Sequence, residues 1–308
     1  MKILVTGGAG YIGSILVPEL LKLDHQVTVI DNFRYNQVSL LEHCGSKNLT
    51  IIRGDVRDKS LIKDYLKKVE VIFPLACLTG MPICVQDPIG ARTTNLDAVK
   101  MLADLKSKDQ IIIFPSTQSV YGHQMKICTE ETKLSPISLY ASLKVEAEKI
   151  ILESKNWILF RLATVFGISP RMRLDLLVND FTYRALFDKY MVLFEANFKR
   201  DYLHIKDVAS AFIFCLNNFN NLKEQIYNIK LYNVNLTKKE LCEEIKKQLP
   251  DFVYLESPIA KDLDKRDYIV SSAKIEKLGF KASISIQEGI NELVKGYQII
   301  KRNQYSNT

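Results

Sequence analysis

A glycine-rich turn near the N-terminus limits the folds open to this chain more than any other feature. The segment T-G-G-A-G-Y-I-G (6–13) directly follows an apolar run at Lys2–Thr6. It places Gly7, Gly10 and Gly13 at three-residue intervals. Gly7 permits a tight turn, Gly10 lets the backbone approach a pyrophosphate, and Gly13 allows close packing of helix on strand. Between a strand and a helix, this spacing predicts a dinucleotide-binding turn.

Strand-like and helix-like segments alternate through the first half of the chain. The predicted strands are Lys2–Thr6, Gln26–Asp31, Leu49–Arg53, Glu70–Pro74, Gln110–Pro115 and Trp157–Leu162. The predicted helices are Tyr11–Leu23, Lys59–Lys68, Asp87–Lys106 and Tyr140–Glu153. Continuous apolar strands joined by helices predict an α/β fold with a Rossmann-type, doubly wound parallel sheet.

The alternation loosens after Gly167, which divides the chain into a first domain at 1–166 and a smaller C-terminal α+β lobe at 167–308. The apolar helical segment Ile205–Asn217 is suited to docking on the sheet. We therefore expect the chain to return to the first domain around 201–230.

Composition narrows the functional classes. In 308 residues, 47% are hydrophobic and 25% charged, which is a globular balance that excludes disorder. The net charge of +7 suits an anionic ligand, but the basic residues are scattered, so neither a nucleic-acid patch nor a membrane partner is expected. No signal-peptide core or membrane-length apolar run is visible, and a cytoplasmic location is expected. Six widely spaced cysteines predict buried, reduced thiols without a disulfide or metal site.

Asp31 ends the second predicted strand, 18 residues after Gly13. A carboxylate at this position accepts hydrogen bonds from the adenosine ribose and repels a 2′-phosphate. The sequence therefore favours NAD over NADP as cofactor. Arg34 lies three residues further on, where its positive charge could instead favour the 2′-phosphate of NADP.

The pattern Tyr-x-x-x-Lys occurs three times, beginning at Tyr140, Tyr202 and Tyr297, so the pattern alone selects nothing. Position favours Tyr140 with Lys144, because their helix follows the strand that ends in F-P-S-T-Q-S-V-Y-G. The carboxyl ends of parallel strands are where α/β sheets place ligands. Residues four apart are neighbours on one helical face.

The chain resembles extended short-chain dehydrogenases/reductases of the NAD-dependent epimerase/dehydratase family, which modify nucleotide-sugars. The matching segments are T-G-G-A-G-Y-I-G (6–13), D-N (31–32), G-D-V-R (54–57), L-A-C (75–77), Asn95, S-T-Q-S-V-Y-G (116–122), Y-A-S-L-K (140–144), R-L-A-T-V-F-G (161–167) and R-D-Y-L-H-I-K-D-V-A (200–209). The stretch R-L-A-T-V-F-G-I-S-P-R-M-R is also similar to that of enzymes oxidising C4 of a GDP-heptose for bacterial surface polysaccharide.

The resemblance implies three catalytic residues. Tyr140 as phenolate would take the proton of a sugar hydroxyl, and Thr117 would hydrogen-bond the reacting oxygen. Because an ordinary tyrosine titrates near ~10, the base needs the positive charges of Lys144 and the nicotinamide to lower its pKa. Lys144 would also hold the nicotinamide ribose.

The resemblance further implies two sets of binding residues. NAD would contact Gly7, Gly10, Tyr11, Ile12, Gly13, Asp31, Asn32, Asp55, Val56, Leu75, Ala76, Cys77, Asn95 and Ser116, besides Tyr140 and Lys144. A UDP- or GDP-linked sugar would contact Thr79, Thr117, Gln118, Ser119, Thr164, Arg171, Arg173, Arg200 and Arg266. Arg200 would bind the diphosphate, or else pair with Asp201. On this reading, 1–166 is the NAD-binding domain and 167–308 the nucleotide-sugar lobe.

The resemblance also implies a homodimer, formed by pairing of the two helices Asp87–Lys106 and Tyr140–Glu153. The interface would be formed by the apolar residues of these helices, which are Leu96, Val99, Leu102, Val145, Ile150 and Ile151. The alternative is that these residues only cover the sheet.

The sequence departs from the family pattern at several positions. Gln118 and Ser119 stand where sugar 4,6-dehydratases carry Asp and Glu, and an amide and an alcohol cannot perform that acid/base work. Thr164 replaces a common Asn. Arg171 and Arg173 lie in a loop where relatives carry Gly-Pro. These arginines either bind a phosphate or an acidic sugar, or they are solvated.

Three functions follow from these residues. The first is oxidation at C4 of a nucleotide-sugar, by a 4-epimerase or a net 4-dehydrogenase. The second is 4-ketoreduction or decarboxylation within the same family. The third is a non-catalytic NAD-binding module, which predicts erosion of the catalytic set, whereas Thr117, Tyr140 and Lys144 are all intact.

Overall fold

A seven-stranded parallel sheet forms the centre of the protein, which a computed structural model describes at residues 1–36, 38–257 and 268–300. Its strands are β1 (Lys2–Thr6), β2 (Gln26–Asp31), β3 (Leu49–Arg53), β4 (Val71–Pro74), β5 (Ile111–Thr117), β6 (Trp157–Leu162) and, after three further strands, β10 (Gln225–Ile229). The order across the sheet is β10-β6-β5-β4-β1-β2-β3. The predicted α/β fold with a parallel sheet is confirmed.

The described residues form twelve α-helices, of which some cover the two faces of this sheet and others pack in the second half of the chain. They are α1 (Gly13–Lys22), α2 (Lys59–Leu66), α3 (Met81–Gln86), α4 (Pro88–Arg92), α5 (Ala98–Leu105), α6 (Leu139–Leu152), α7 (Leu177–Phe187), α8 (Ile205–Asn217), α9 (Phe219–Leu222), α10 (Lys238–Lys246), α11 (Ala273–Glu276) and α12 (Ile286–Gly296). Side chains alternate across β1, so that Ile3 and Val5 join one buried cluster with α1 and α8. Leu4 points the other way, into a second cluster with α2, α5 and α6.

The rest of the second half builds smaller sheets. In the first, β7 (Thr164–Phe166) runs parallel to β9 (Lys199–His204), and β11 (Asn235–Thr237) pairs antiparallel to β9. In the other, β8 (Tyr190–Phe194) pairs with β12 (Val253–Ser257). Between β9 and β11 the chain returns to the main sheet, since α8 contacts α1 and β10 pairs with β6.

Two helix predictions need correction. The helix predicted at Tyr11–Leu23 begins only at Gly13, so that Tyr11 and Ile12 belong to the turn. The single helix predicted at Asp87–Lys106 is broken, because a π-helical turn at Thr93–Asp97 separates α4 from α5. Asn95 lies within that turn, fully buried, and its amide reaches the backbone of Leu78. Such turns often mark functional sites.

The apolar residues expected at a dimer interface are mostly buried inside the chain itself. Leu96, Val99, Leu102 and Ile151 are at most 5% exposed and cover the sheet, while Val145 and Ile150 are half-buried.

The prediction that the cysteines are buried was partly wrong. All six thiols are free, but Cys44 is exposed and Cys77 half-buried.

A buried ion pair connects the sheet to the helix that follows it. Arg161 on β6 donates to Glu148 on α6 at 2.8 Å, and both side chains are at most 4% exposed. The same carboxylate accepts a hydrogen bond from Ser116, and Arg161 donates to the Tyr121 hydroxyl at 3.0 Å. Removing one partner would leave the other charge buried without compensation, which is costly.

We expect Glu148→Gln to lower the free energy of unfolding by about 3–5 kcal/mol, because Arg161 loses its counter-charge in the interior. Urea denaturation at neutral pH measures the loss. The control is Glu19→Gln, which breaks an exposed pair with Lys22 and should cost less than about 1 kcal/mol. Equal losses in the two variants would contradict the assigned role.

Candidate functional site

A cavity of about 580 Å³ opens at the carboxyl ends of the sheet strands. One wall is built from the glycine turn and the ends of β2, β4 and β5, and the opposite wall comes from the second half of the chain. The predicted residues that line it are Gly7, Gly10, Tyr11, Ile12, Gly13, Asp31, Asn32, Asp55, Val56, Leu75, Ala76, Cys77, Thr79, Ser116, Thr117, Ser119, Tyr140, Lys144, Thr164, Arg171, Arg173 and Arg200. The fold thus brings residues more than 190 positions apart in sequence to one site.

The glycine turn has the shape that a dinucleotide requires. Gly7 has φ +68°, and a Cβ there would lie 2.5 Å from the backbone nitrogen of Ala76. A Cβ on Gly13 would lie 2.5 Å from the carbonyl oxygen of Gly8. Gly13 therefore packs against the turn, whereas the sequence predicted that it packs against the strand. The first turn of α1 has no side-chain cap and no acidic residue. The partial positive charge of this helix N-terminus therefore suits a pyrophosphate, while the N–H groups of Ser14, Ile15 and Leu16 already donate to backbone carbonyls.

Asp31 lies at the end of β2, on the edge of the cavity. Its two oxygens accept backbone N–H groups, from Ala9 at 3.0 Å and from Phe33 at 2.8 Å, while burial raises its pKa. The carboxylate therefore also fixes the turn around it. Arg34, the signal for a 2′-phosphate, is instead directed toward Asp87 at 3.5 Å.

Tyr140 and Lys144 lie one turn apart on the cavity side of α6. Ser138 caps this helix by accepting from Ala141 N at 3.2 Å, which places Tyr140 in the first turn. Lys144 is buried, with its ammonium 4.2 Å from the centre of the Phe114 ring, and desolvation lowers its pKa. Within the described ranges its ammonium donates no hydrogen bond to the protein. Lys144 lines the cavity, as a ribose-binding lysine would.

The end of β5 holds the third predicted catalytic residue. This strand runs two residues beyond its predicted end, to Thr117. The Thr117 hydroxyl accepts from Ser119 N at 3.1 Å and donates to the Ser119 hydroxyl at 3.0 Å. Both residues face the cavity.

Two predicted contact residues lie behind the cavity wall instead of on it. Gln118 is 1% exposed, and its amide points toward Ile229 O at 3.5 Å. Asn95 donates to Leu78 O at 2.9 Å and accepts from Leu78 N at 2.8 Å. The buried π-helical turn and the short 3₁₀ helix Gln118–Tyr121 after β5 turn these side chains inward. Both side chains support the wall, and neither lines the cavity.

The two arginines of the loop at 167–175 are buried in the cavity wall and have different partners. Arg173 donates to both oxygens of Asp175, at 3.2 and 2.5 Å, and to Thr79 O at 3.2 Å. Burial alone would raise the pKa of Asp175, but Arg173 holds it below its usual value. Arg171 instead lies 4.1 Å from the centre of the Tyr35 ring, near Asp31. The alternative that these side chains are solvated is wrong, since they are 4% and 7% exposed.

A hydrogen-bonded contact that the sequence did not reveal joins this loop to the glycine turn. The Tyr11 hydroxyl donates to Gly167 O at 2.7 Å and accepts from the Asn179 amide at 3.2 Å. Asn179 also accepts from Gly167 N and donates to Arg173 O, and the Tyr297 hydroxyl donates to Asn179 O. No spacing in the sequence marks Asn179, because two of its partners, Tyr11 and Tyr297, are more than 100 residues away along the chain.

Basic residues gather at the far end of the cavity. Arg200 on β9 is buried, and Lys238 at the start of α10 lies nearby with Tyr268. Asp201, the alternative partner of Arg200, is paired with Lys230 instead. Lys238 and Tyr268 were missed by sequence reasoning, and Arg266 lies outside the described residues.

Two further features bear on the kind of site. Among the residues that the structure describes, no three His, Cys, Asp or Glu side chains come together as metal ligands. In the same part of the chain, no helix combines the length and the apolar character needed to cross a membrane.

A family model and the sequences of known proteins match this chain. The family model described as the NAD dependent epimerase/dehydratase family matches residues 3–229. The uncharacterized UDP-glucose epimerase YtcB of Bacillus subtilis is 34% identical over 229 residues, covering 68% of this chain and 71% of the relative. UDP-glucuronic acid decarboxylase 1 of Arabidopsis thaliana is 28% identical over 315 residues, covering 97% of this chain and 70% of that protein.

A solved structure shares the whole fold. The UDP-glucose 4-epimerase of Thermotoga maritima with UDP-glucose superposes with a TM-score of 0.84 at 25% identity. The match covers 97% of this chain and 99% of that one.

The Asp31 carboxylate predicts tighter binding of NAD than of NADP, because it would repel a 2′-phosphate. Calorimetric titration of nucleotide-free protein measures both affinities. Asp31→Asn should lower the NAD:NADP affinity ratio at least tenfold, about 1.4 kcal/mol. Asp55→Asn is the matched control, since the Asp55 charge is already paired with Arg57 at 2.6 Å, and it should keep the ratio. Equal affinities in the unmodified protein would refute the assignment.

Proposed function

Since this chain belongs to the NAD-dependent epimerase/dehydratase family, whose members include nucleotide-sugar epimerases, dehydratases and decarboxylases, we propose that it is an enzyme that oxidises C4 of a nucleotide-sugar. It would act as a 4-epimerase or as a net 4-dehydrogenase. The observation that supports this proposal most directly is the pair Tyr140 and Lys144, one helical turn apart on the cavity wall beside Thr117.

The proposed chemistry assigns one task to each of these side chains. NAD supplies the two-electron oxidant when it is bound. Tyr140 accepts the proton of the sugar hydroxyl, and Thr117 hydrogen-bonds the same oxygen. The Lys144 ammonium favours the phenolate form of Tyr140, since a positive charge at ~6 Å contributes about 2.8 kcal/mol at an effective dielectric near 20. Burial of Lys144 strengthens this attraction, because little water screens it.

The charge arrangement supports a reaction without loss of water. Elimination of a sugar hydroxyl needs a protonated acid beside the base. The carboxylates among the described cavity-lining residues are Asp31, Asp55 and Asp175. Asp31 lies at the opposite end of the cavity, Asp55 is paired with Arg57, and Arg173 keeps Asp175 ionised. Gln118 and Ser119 do not supply the missing acid.

The far end of the cavity suits the nucleotide part of the substrate. Arg200 and Lys238 bring two positive charges there, and a guanidinium binds a diphosphate in a bidentate manner. We propose a UDP- or GDP-linked sugar in this position, held by the lobe at 167–308. A bacterial surface polysaccharide sugar such as a heptose is the substrate favoured by the sequence at 161–173. A homodimer also belongs to the proposal, and a monomeric mass in light scattering would contradict it.

Decarboxylation is a second candidate, favoured by the similarity to UDP-glucuronic acid decarboxylase 1 of Arabidopsis thaliana over 97% of this chain. A uronic acid oxidised at C4 becomes a β-keto acid, which loses carbon dioxide readily. The same Tyr140, Lys144 and Thr117 would perform the oxidation, so only the substrate separates the two candidates.

Tyr140→Phe should remove most turnover and spare NAD binding, because it deletes one hydroxyl and little volume. A positioned acid/base group contributes roughly 10²–10⁴-fold, and kcat should fall in that range. Tyr202→Phe is the matched control: it begins another Tyr-x-x-x-Lys pattern, is buried, and its hydroxyl has no hydrogen-bond partner in the described structure. A Tyr140→Phe variant with full activity would exclude this base.

The product mass distinguishes the candidate reactions. UDP-, GDP-, CDP- and dTDP-linked sugars are incubated with enzyme and NAD, and the products are analysed by mass spectrometry and NMR. An unchanged mass with inverted C4 means epimerisation, and a loss of two hydrogens means net oxidation. Loss of carbon dioxide from a uronic acid identifies the second candidate. A product lighter by one water would overturn the proposal.

A further inference from the structure

One face of α6 carries three titratable side chains in line. Tyr140, Lys144 and Glu148 follow one another at four-residue intervals, which places them on the same side of the helix. The first two line the cavity, whereas Glu148 is 1% exposed and lies behind the wall. The proposed chemistry uses Tyr140 and Lys144 and leaves Glu148 without a role at the site.

This face of α6 contacts β5 at two points. The Lys144 ammonium lies 4.2 Å from the centre of the Phe114 ring. One helical turn further on, the Glu148 carboxylate accepts a hydrogen bond from the Ser116 hydroxyl. Phe114 and Ser116 are two residues apart on the strand, so both side chains face the helix. The second contact lies one residue before Thr117 along β5.

The Ser116 hydroxyl is directed into the protein. A serine hydroxyl has one proton to donate, and here the acceptor of that proton is Glu148. Ser116 borders the cavity but is only 3% exposed. The side chain that the sequence assigned to NAD therefore donates its hydrogen bond to α6, away from the cavity.

A buried ion pair fixes the carboxylate that Ser116 binds. Arg161 on β6 donates to both oxygens of Glu148, through Nη2 at 2.8 Å and Nε at 3.3 Å. It lies opposite Ser116 in the pairing of β5 with β6. Arg161 also donates to the hydroxyl of Tyr121 at 3.0 Å, in the 3₁₀ helix that follows Thr117. Along the chain, Thr117 therefore has a residue bound to this ion pair on each side.

We propose that Ser116 is a positioning residue: its hydrogen bond to Glu148 sets the place of the Thr117 hydroxyl relative to the Tyr140 phenol. The inference rests on the proposed function, in which these two groups contact the same sugar oxygen. Such a shared contact requires that both groups are held to within about 0.5 Å. A misplacement of about 1 Å can lower the rate about 10²-fold.

Ser116→Ala tests this position directly and leaves the ion pair of Glu148 in place. Crystal structures of the unmodified protein and of the variant, each with NAD, give the separation of Thr117 Oγ1 from Tyr140 Oη. We expect it to change by more than about 0.5 Å, while the NAD affinity measured by calorimetric titration stays within twofold. An unchanged separation would overturn the proposal. Tenfold weaker NAD binding would do the same, because Ser116 would then be a cofactor contact.

Ser154→Ala is the matched control. The Ser154 hydroxyl donates to Ile151 O at 2.7 Å near the other end of α6, and Ser154 does not line the cavity. This variant should keep both the separation and the NAD affinity. If Ser116→Ala does not fold, Ser116→Cys replaces it with the same expected outcomes, because a thiol is a much weaker hydrogen-bond donor.

Kinetics distinguish positioning from a general loss of stability. With the sugar identified by product analysis, Ser116→Ala should lower kcat at least tenfold and leave KM within twofold. Because Ser116 acts through Thr117, adding Ser116→Ala to Thr117→Val should lower kcat by no more than a further twofold. Unchanged kcat, or full additivity of the two losses, would overturn the proposal. If the unmodified protein turns over no sugar, the proposed reaction fails, whereas the crystal structures and titrations still decide the role of Ser116.

Discussion

The hydrogen bonds of the Tyr11 hydroxyl hold the site together, because they join the glycine turn to the second half of the chain. Gly167 O accepts from this hydroxyl and the Asn179 amide donates to it, both in the buried interior. Asn179 in turn fixes the backbone of Arg173. Together with the hydrogen bonds of Ser169 to Tyr11 O and to the Ser14 hydroxyl, this contact fixes the loop that carries Arg171 and Arg173 over the cavity. Such buried, fully satisfied polar contacts specify one arrangement of two packed units.

Within that arrangement, the charged side chains of the cavity divide into two groups. Arg173 with Asp175 and Arg57 with Asp55 are pairs that neutralise each other and shape the walls. Lys144 and Arg171 are buried cations of the cavity wall that belong to neither of these pairs. The Lys144 ammonium lies over the Phe114 ring and the Arg171 guanidinium over the Tyr35 ring, so the face of an aromatic ring is directed at each charge.

Buried polar contacts fix the backbone around the part of the cavity that Thr117 lines. The π-helical turn at Thr93–Asp97 carries Asn95 inward, where it binds both backbone groups of Leu78. At the end of β5, Ser116 donates to Glu148 of α6, which in turn is paired with Arg161 of β6. Thr117 and the cavity segment after β4 thus rest on polar contacts in the interior. A rigid support of this kind keeps reacting groups in position during repeated turnover.

The sequence by itself determined the parallel sheet, the dinucleotide turn and the choice of Tyr140 with Lys144, because each depends on short-range patterns of apolar runs, glycines and helical spacing. Each of these signals spans about a dozen residues or fewer. It could not determine that Gln118 and Asn95 turn inward, that Arg171 and Arg173 take different partners, or that Asn179, Lys238 and Tyr268 belong to the site. Only the tertiary structure decided these, since burial and charge pairing depend on contacts between residues that are distant along the chain.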